Sequence, residues 1–465
     1  MRGLGDVGLM VAREFEAVKL GDERLDKRCR KLAVDLGRRP TASLPKACGD
    51  RSGAKAAYRF LSNERVSMDK LLQSVIFKTA ERARREDAVI AVQDTTSLDF
   101  TKHRATEGLG CITTNSYIRG MLVHSTLAVS MEGDVLGPLH QEVWIREERV
   151  PDDETHERRH RSRESERWTR GVVATSGLPL PGVIHVLDRE GDILEVLNEL
   201  DRTHQSFVIR ARHDRILEDD TSKLFETVRQ GPELGRFQLR VPRRSRGREG
   251  AATNERVADL CLRSASVILR PPPGLRSKYP NLEVGIVQIV ESHPPDGIEP
   301  IEWFLLTREP HSDFDQCRRI ADIYAKRWKI EEFHMAIKTG CRIEERQLQS
   351  RGAIESFLAL ADVIAVTLLR LRHLARSSEP TLASLVLSER QLTILRRRFP
   401  HLAVHPSSRE ALRAVAQLGG FLGRTRDGEP GWRTIWSGMH DLWLMEFGFI
   451  LAEAAATAPS TATCG

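Results

Sequence analysis

The segment Ala88-Val-Ile-Ala-Val-Gln-Asp94 is a short apolar run that ends in a carboxylate. This is the pattern of a buried strand that delivers one acid to the edge of a sheet. Later in the chain, Val183-Ile-His-Val-Leu-Asp188 has the same form. The two segments therefore predict two buried strands of one α/β core, each ending in an acid.

Further patterns place these strands in order. Residues 121–130 and 135–145 predict two strands joined by a tight turn, which completes a three-strand meander. Residues 152–167 carry six acidic and five basic side chains and predict a solvated loop or helix edge. A helix from about Asp192 and a strand at 207–210 follow the second acid. The order strand, strand, strand, helix, strand, helix, strand matches a ribonuclease-H-like core that still lacks its final helix.

The final helix is delayed by an insertion. Between 211 and 310, strand-like runs are separated by Pro271-Pro-Pro-Gly274 and Pro294-Pro-Asp-Gly297, which predicts an inserted β subdomain. Only afterwards does a long helix begin, at Ser312 with Asp315 three residues later, and it ends at Gly340. Beyond that glycine the pattern is helical.

Composition sets limits on the class of protein. Seventy-one Lys and Arg residues against 65 Asp and Glu residues give a net charge of +6 and a pI near 9.0, which permits a polyanionic partner. The seven cysteines form no CxxC or Cys/His cluster, so the pattern favours a reducing cytoplasm over a zinc module or a disulfide framework. The longest apolar stretch, 357–369, is broken by Asp362, so no membrane partner is expected.

Basic side chains occur in two places that suit DNA. Two small amphipathic helices are predicted at 22–36 and 53–61, and six arginines without an acid lie between Arg236 and Arg248. Solvated faces and a solvated basic loop explain the same charges. The candidate DNA contacts are Arg24, Lys27, Arg28 and Arg59 on the two helices, and Arg210 and Arg212 on the strand that leaves the core.

The long helix carries four spaced polar residues in Tyr324-Ala-Lys-Arg327-Trp-Lys-Ile-Glu331-Glu-Phe-His-Met-Ala-Ile-Lys338. At about 100° per residue they fall at about 0°, 300°, 340° and 320°, one stripe roughly 60° wide. A carboxylate flanked by two cations and a phenol suits a phosphodiester, because the carboxylate holds a hard cation and the cations hold phosphate oxygens. A solvated helix edge with i,i+4 ion pairs is the alternative.

The three acids Asp94, Asp188 and Glu331 share one chemical interpretation. Two strand-end carboxylates and one helix carboxylate can converge on hard divalent ions, which prefer oxygen ligands. Two such ions would activate the attacking oxygen and stabilise the departing oxygen at phosphorus. Singly, each acid also fits a turn or a helix cap.

These residues carry a resemblance to a known family. Asp94-Thr-Thr-Ser97, Asp188-Arg-Glu-Gly-Asp192 and the Tyr-x2-Arg-x3-Glu-x6-Lys pattern resemble the DDE transposases of bacterial cut-and-paste insertion sequences, of the YREK-signature type (insertion sequence family four). The resemblance runs from Leu20-Gly-Asp22 to Leu418-Gly-Gly-Phe421 and covers nearly the whole chain.

The resemblance implies roles for individual residues. Asp94, Asp188 and Glu331 would be catalytic ligands of Mg²⁺, with Mn²⁺ as the alternative ion. The signature selects Glu331 over Glu332, which would lie about 100° further round the helix. The residues implied to bind phosphates near the cleaved end are Tyr324, Arg327 and Lys338. Trp303 is implied to stack on a base flipped out of the duplex, with Trp328 as the competing candidate and a core position as the alternative.

The resemblance also implies activity and partners. The expected reaction is cut-and-paste DNA transposition by nicking, hairpin formation and opening, and strand transfer. The partners are double-stranded DNA, as terminal inverted repeats and target, and a second copy of the chain in the DNA complex, held by the C-terminal helices. The expected location is the cytoplasm, on the nucleoid. The two alternatives are a structure-selective metal-dependent nuclease and a catalytically inactive DNA-binding regulator derived from a transposase.

The predicted fold is α/β, with a ribonuclease-H-like core interrupted by a β insertion and flanked by helical domains. The predicted segments are a helical DNA-end-binding domain (1–75), the first part of the core (76–210), the inserted β subdomain (211–310), the final core helices (311–375) and a helical C-terminal dimerisation domain (376–465).

Overall fold

The computed structural model of the protein describes residues 6–113, 117–146, 154–241, 256–376, 381–424 and 427–457. Its strands form one mixed ten-stranded sheet. In chain order they are β1 (Ala88–Asp99), β2 (Gly110–Cys111), β3 (Arg119–Ser130), β4 (Val135–Trp144), β5 (Gly182–Leu187), β6 (Ser206–Arg210), β7 (Gly235–Val241), β8 (Arg256–Leu269), β9 (Leu282–Glu291) and β10 (Glu302–Thr307).

The central strands follow the order β4-β3-β1-β5-β6. The meander β1-β3-β4 is antiparallel, and β5 and β6 continue the sheet parallel to β1. The inserted strands then extend this same sheet, because β10 pairs with β6 and is followed by β9, β8 and β7, all antiparallel. The insertion is thus continuous with the core through main-chain hydrogen bonds.

Fourteen α-helices are present in the described residues. They are α1 (Val7–Arg13), α2 (Glu23–Arg38), α3 (Leu44–Cys48), α4 (Arg51–Leu61), α5 (Met68–Ala83), α6 (Glu154–Ser176), α7 (Leu194–Arg202), α8 (Leu224–Arg229), α9 (Phe314–Ala325), α10 (Trp328–Met335), α11 (Arg351–Arg376), α12 (Glu389–Arg398), α13 (Ser408–Leu418) and α14 (Trp432–Thr457).

The helix α11 is the centre of the apolar core. It packs against α5, α10, α13, α14 and β4, and most of its side chains are buried. Its one acid in the apolar stretch, Asp362, is fully buried and accepts a hydrogen bond from Gln141 at 3.3 Å. Burial raises the pKa of Asp362 to about 8, so the carboxyl is protonated at neutral pH and can lie among apolar side chains.

Length and composition alone would allow α11 to cross a membrane. It is the one helix in the described ranges with this property, and 89% of its apolar window is buried within the protein. A core helix passes the same test of hydropathy.

The prediction that Asp94 ends its strand is wrong. β1 continues five residues further, to Asp99, because its antiparallel partner β3 pairs with it as far as Asp99 opposite Gly120. The parallel partner β5 stops at Leu187. Asp94 therefore lies at the edge of the parallel part of the sheet while remaining inside a longer antiparallel ladder.

The prediction of one continuous helix from Ser312 to Gly340 is also wrong. The N-cap is Asp313, whose side chain accepts from the N–H of Gln316. Between α9 and α10 the main chain tightens into i to i−3 hydrogen bonds, including Arg327 N–H to the Tyr324 carbonyl at 2.9 Å. After α10, residues Ala336–Gly340 widen into a π turn. The signature residues thus lie on two α-helices, the turn between them and a π turn, and not on one regular helix.

Other elements differ in smaller ways. The charged stretch is a helix, α6, which settles the choice left open by its composition. The apolar C-terminal helix α14 begins at Trp432. β7 occupies the start of the arginine-rich run, and residues 242–255, with most of those arginines, lie outside the described residues.

The packing of α14 against α13 depends on a glycine. A Cβ at Gly438 would lie 1.7 Å from the Val415 carbonyl oxygen, whereas Gly448 on the same helix has open space around it. We expect Gly438→Ala to destabilise the protein by about 1–3 kcal/mol through overpacking. Gly448→Ala should instead stabilise it by up to about 1 kcal/mol, through helix propensity.

Thermal unfolding of the two variants checks this difference. Equal shifts in Tm for Gly438→Ala and Gly448→Ala would contradict the close contact between α13 and α14.

Candidate active site

The parallel pairing of β1 with β5 brings two acids to the same level of the sheet. The last paired residues are Val92 and Val186, and Asp94 and Asp188 each lie two positions further along. Asp188 also caps a short 3₁₀ turn (Arg189–Gly191), in which the N–H of Glu190 donates to Asp188 Oδ1 at 2.8 Å. The main chain thus fixes both acids at one edge.

The electrostatics of Asp94 reflect its neighbours. Burial raises the pKa of Asp94 to about 7, and the negative charges of Asp188 and Glu331 add to that increase. The N–H of Thr95 donates to Asp94 Oδ1 at 2.7 Å, and Arg327 opposes the shift. Asp188 and Glu331 are therefore both close enough to Asp94 to raise its pKa.

Arg327 lies between two of these acids. Its Nη2 donates to Glu331 Oε1 at 2.6 Å, and its Nη1 is 3.7 Å from Asp94 Oδ2. The neighbouring Glu332 faces away, where it is paired with Arg372 of α11 and lies 3.6 Å from Lys329. The two adjacent glutamates thus have different partners, Arg327 for Glu331 and Arg372 for Glu332.

An aromatic and cationic cluster borders the acids. The rings of Trp303 and Tyr324 meet edge-on with centroids 5.5 Å apart, and the Arg210 guanidinium lies 5.8 Å from the Trp303 ring centre. Burial raises the pKa of Tyr324, and the positive charges of Arg327 and Arg210 partly offset that increase. Trp303 lies on β10, beside β6 and Arg210, whereas Trp328 is 60% exposed on α10.

Lys338 lies in the π turn after α10. Hydrogen bonds from Thr101 lower the pKa of Asp99, and Lys102 and Lys338 lower it further. Lys338 is therefore near Asp99, the last residue of β1, and outside the cluster around Arg327. The four signature residues follow one edge of the site, but they do not form the single regular stripe that an ideal helix would give.

Other predicted contacts lie apart from this cluster. Arg212 is exposed, and its N–H donates to Asp192 Oδ2 at 2.7 Å in the loop after β6. On the N-terminal helices, Arg24, Lys27 and Arg59 are exposed and Arg28 is partly buried. Lys27 is paired with Glu23 at 2.8 Å on the surface of α2.

Sequence reasoning missed a group of residues behind the acids. Thr95 and Glu190 supply the N–H groups that hold Asp94 and Asp188, and Arg167 of α6 contacts both of them. The charged stretch hid Arg167 because its composition favours a solvated surface. One signal could have revealed it: Arg167 directly precedes Trp168, which is buried.

Comparison with protein-family models gives three matches in chain order. They are a transposase DNA-binding domain at residues 9–66, a transposase DDE domain at 154–368, and the Transposase Tn5 dimerisation domain at 363–459. The chain carries the domains of a DDE transposase. The DDE match includes Asp188 and Glu331 but begins after Asp94, so the place of Asp94 in the site depends on the sheet register.

A solved structure gives a further likeness to a transposase. It is a cryo-EM structure of the piggyBac transposase synaptic complex with hairpin DNA, which is 9% identical to this chain. The match covers 98% of this chain and 72% of that chain, with a TM-score of 0.34. A likeness of this size establishes neither the fold nor the function of this chain.

The raised pKa of Asp94 makes the stability of the metal-free protein depend on pH. Its folded pKa of about 7 exceeds the ordinary value of 3.8, so ionisation costs stability as pH rises between these values. Asp94→Asn should remove that cost, on the order of 4 kcal/mol at most. The variant should therefore melt higher than the unmodified protein above pH 7 and equally near pH 4.

Thermal melts in chelator across this pH range measure the effect, with Asp296→Asn in an exposed loop as the control. A constant difference between Asp94→Asn and the unmodified protein at all pH values would show that Asp94 does not titrate in this way.

Proposed function

We propose that the chain is a DNA transposase of the YREK-signature type that cuts and joins DNA by metal-dependent phosphoryl transfer. The main support is the position of Arg327 between Asp94 and Glu331, with Asp188 close enough to Asp94 to raise its pKa. The three transposase domain matches agree with it. A regulator that only bound DNA would have no use for this gathering of acids.

The donor set fits a hard divalent ion. In the described residues no group of three or more His, Cys, Asp or Glu side chains has a ready metal-binding geometry. Arg327 accounts for this, because its guanidinium already pairs with Glu331 and approaches Asp94. Glu331 thus already binds one cation here, the Arg327 guanidinium, which also lies near Asp94. With Arg327 displaced, Asp94, Asp188 and Glu331 would hold Mg²⁺, or Mn²⁺ as the alternative.

The metal would supply activation of the attacking oxygen and stabilisation of the departing one. The protein's own side chains would hold the DNA strand. Tyr324, Arg327 and Lys338 would bind phosphate oxygens along the edge of the site, and Arg210 would join them beside Trp303. Arg212 would contact the backbone further from the cleaved phosphate.

The proposed reaction has four steps at one site. Water attacks the phosphodiester at the element's end and releases a 3′-hydroxyl. That hydroxyl attacks the opposite strand and forms a hairpin, a second water opens the hairpin, and the freed 3′-end attacks target DNA. Trp303 would serve the second step by stacking on a base that leaves the duplex.

The flanking domains would hold the two DNA ends. The N-terminal helices, with Arg24, Lys27, Arg28 and Arg59, match the transposase DNA-binding model and would bind terminal repeats. Five large apolar side chains are exposed on α14, within the matched dimerisation region, and would pair two chains on DNA. They are Leu444, Met445, Phe447, Ile450 and Leu451. The boundaries of the five segments predicted from the sequence belong to this proposal.

Adjacent glutamates offer a matched test of the chemistry. Glu331→Gln should leave Tm and end binding nearly unchanged but lower nicking by more than about 100-fold, because a metal ligand loses its charge. Glu332→Gln should retain nicking but lower Tm, because Arg372, a largely buried arginine, loses its partner at a cost of about 3–5 kcal/mol.

Gel shift, nicking assays and thermal melts on both variants separate the roles. Normal strand joining by Glu331→Gln would exclude the proposed mechanism.

Two tryptophans allow a test of the hairpin step. Trp303→Ala should slow hairpin formation roughly 10- to 100-fold and leave the first nick near normal, since stacking of a base is worth about 1–3 kcal/mol. Trp328→Ala, at the exposed position, should change neither rate. Single-turnover assays on end DNA resolve the two steps, and Tm must be measured alongside. A Trp303→Ala protein that simply unfolds would point to core packing, the alternative to stacking.

A further inference from the structure

The arginine Arg167 of α6 makes polar contacts with both acid-bearing segments. Its Nε donates to Thr95 Oγ1 at 2.9 Å, and its Nη2 is 3.1 Å from Glu190 Oε2. The main-chain N–H groups of those same two residues hold Asp94 Oδ1 and Asp188 Oδ1. One guanidinium therefore connects β1 to the turn after β5, immediately behind the two carboxylates.

The position of Arg167 is itself closely defined. Its side chain is 11% exposed, and its guanidinium lies 5.6 Å from the ring centre of Trp144 and 5.4 Å from that of Trp168. A third contact goes to the carbonyl of Glu164 in its own helix. A side chain held by aromatic faces and three acceptors has little freedom to move.

The contact with Thr95 continues into a directed chain of hydrogen bonds. Arg167 can only donate, so the Thr95 oxygen accepts from it and the hydroxyl hydrogen is available to His124 Nδ1 at 2.9 Å. His124 Nε2 then donates to Gln93 Oε1 at 3.1 Å. This assignment needs a neutral ring, and burial lowers the pKa of His124 well below its ordinary value. The chain fixes the β1 side chains on both sides of Asp94.

We infer that Arg167 is a positioning residue of the active site, which sets the spacing of Asp94 and Asp188 by tying β1 to the turn that follows β5. The inference rests on the proposed function, because the spacing matters for holding a divalent ion. Partners outside the direct ligands of a metal commonly change its affinity by about 10- to 100-fold.

The sign of the effect separates positioning from simple charge. Removing a cation near three carboxylates should, by Coulomb attraction alone, make a divalent ion bind more tightly. Loss of positioning should make it bind more weakly. Arg167→Gln is therefore expected to raise the Mn²⁺ concentration for half-saturation by about 10- to 100-fold. Arg167→Lys keeps the positive charge but replaces the planar guanidinium, which donates in several directions, by a single ammonium group. It should also weaken Mn²⁺ binding.

The matched control is Arg170→Gln. Arg170 lies one turn later on α6 and pairs with Glu142 at 2.7 Å and Glu166 at 3.3 Å. Its replacement by Gln changes the formal charge by the same amount as Arg167→Gln. It should alter Mn²⁺ affinity less than twofold. Thr95→Val, which removes the acceptor with little change in shape, should reproduce the Arg167→Gln defect, and the double variant should be no worse than either single one.

Free Mn²⁺ counted by electron paramagnetic resonance during titration of the full chain measures affinity without depending on activity. Nicking of end DNA against Mn²⁺ concentration is the second readout, and Arg167→Gln should recover its rate at high Mn²⁺. Tighter or unchanged Mn²⁺ binding in both Arg167→Gln and Thr95→Val would overturn the inference. If Glu331→Gln also binds Mn²⁺ as tightly as the unmodified chain, the proposed metal site itself is wrong. If only Glu331→Gln binds Mn²⁺ more weakly, the metal site stands and the role of Arg167 is rejected.

Discussion

The parallel pairing of β1 with β5 is the constraint on which the site depends. It places Asp94 and Asp188 at equal positions beyond the last paired residues, at the one edge where β5 ends and β1 continues. Because β3 holds the rest of β1 in an antiparallel ladder, Asp94 cannot move as a loop residue would. Burial and like charge then raise its pKa, and the nearby Arg327 opposes that increase.

The helix that faces this edge departs from regular geometry at the signature residues. Tight i to i−3 bonds carry Arg327 toward the strands, and the π turn at Ala336–Gly340 shifts Lys338 toward Asp99. Local changes of pitch of this kind are frequent at functional sites. Arg327 and Lys338 thus lie near Asp94 and Asp99 of β1, whereas Tyr324 contacts Trp303 on β10.

Much of this could be predicted from sequence because strands and acids leave periodic patterns. The meander and the order of the core elements follow from spacing and agree with the structure. The choice of Glu331 over Glu332 as a metal ligand comes from the resemblance and stays a prediction, while the structure gives the two glutamates different partners. Spacing assumes ideal geometry, however, so it missed both the extension of β1 past Asp94 and the broken helix. It also missed Arg167, since the surrounding charges hide a residue whose neighbours come from distant segments.

Two arginines have different relations to the same acids. Arg167 contacts Thr95 and Glu190, the residues whose main-chain N–H groups hold the carboxylates, and makes no direct pair with Asp94 or Asp188 among the described contacts. Arg327 lies at the front and pairs with the carboxylates themselves. Under the proposed function, a DNA phosphate would compete with Glu331 for the Arg327 guanidinium, while a divalent ion would compete with Arg327 for the acids. Both exchanges would replace one ion pair by another.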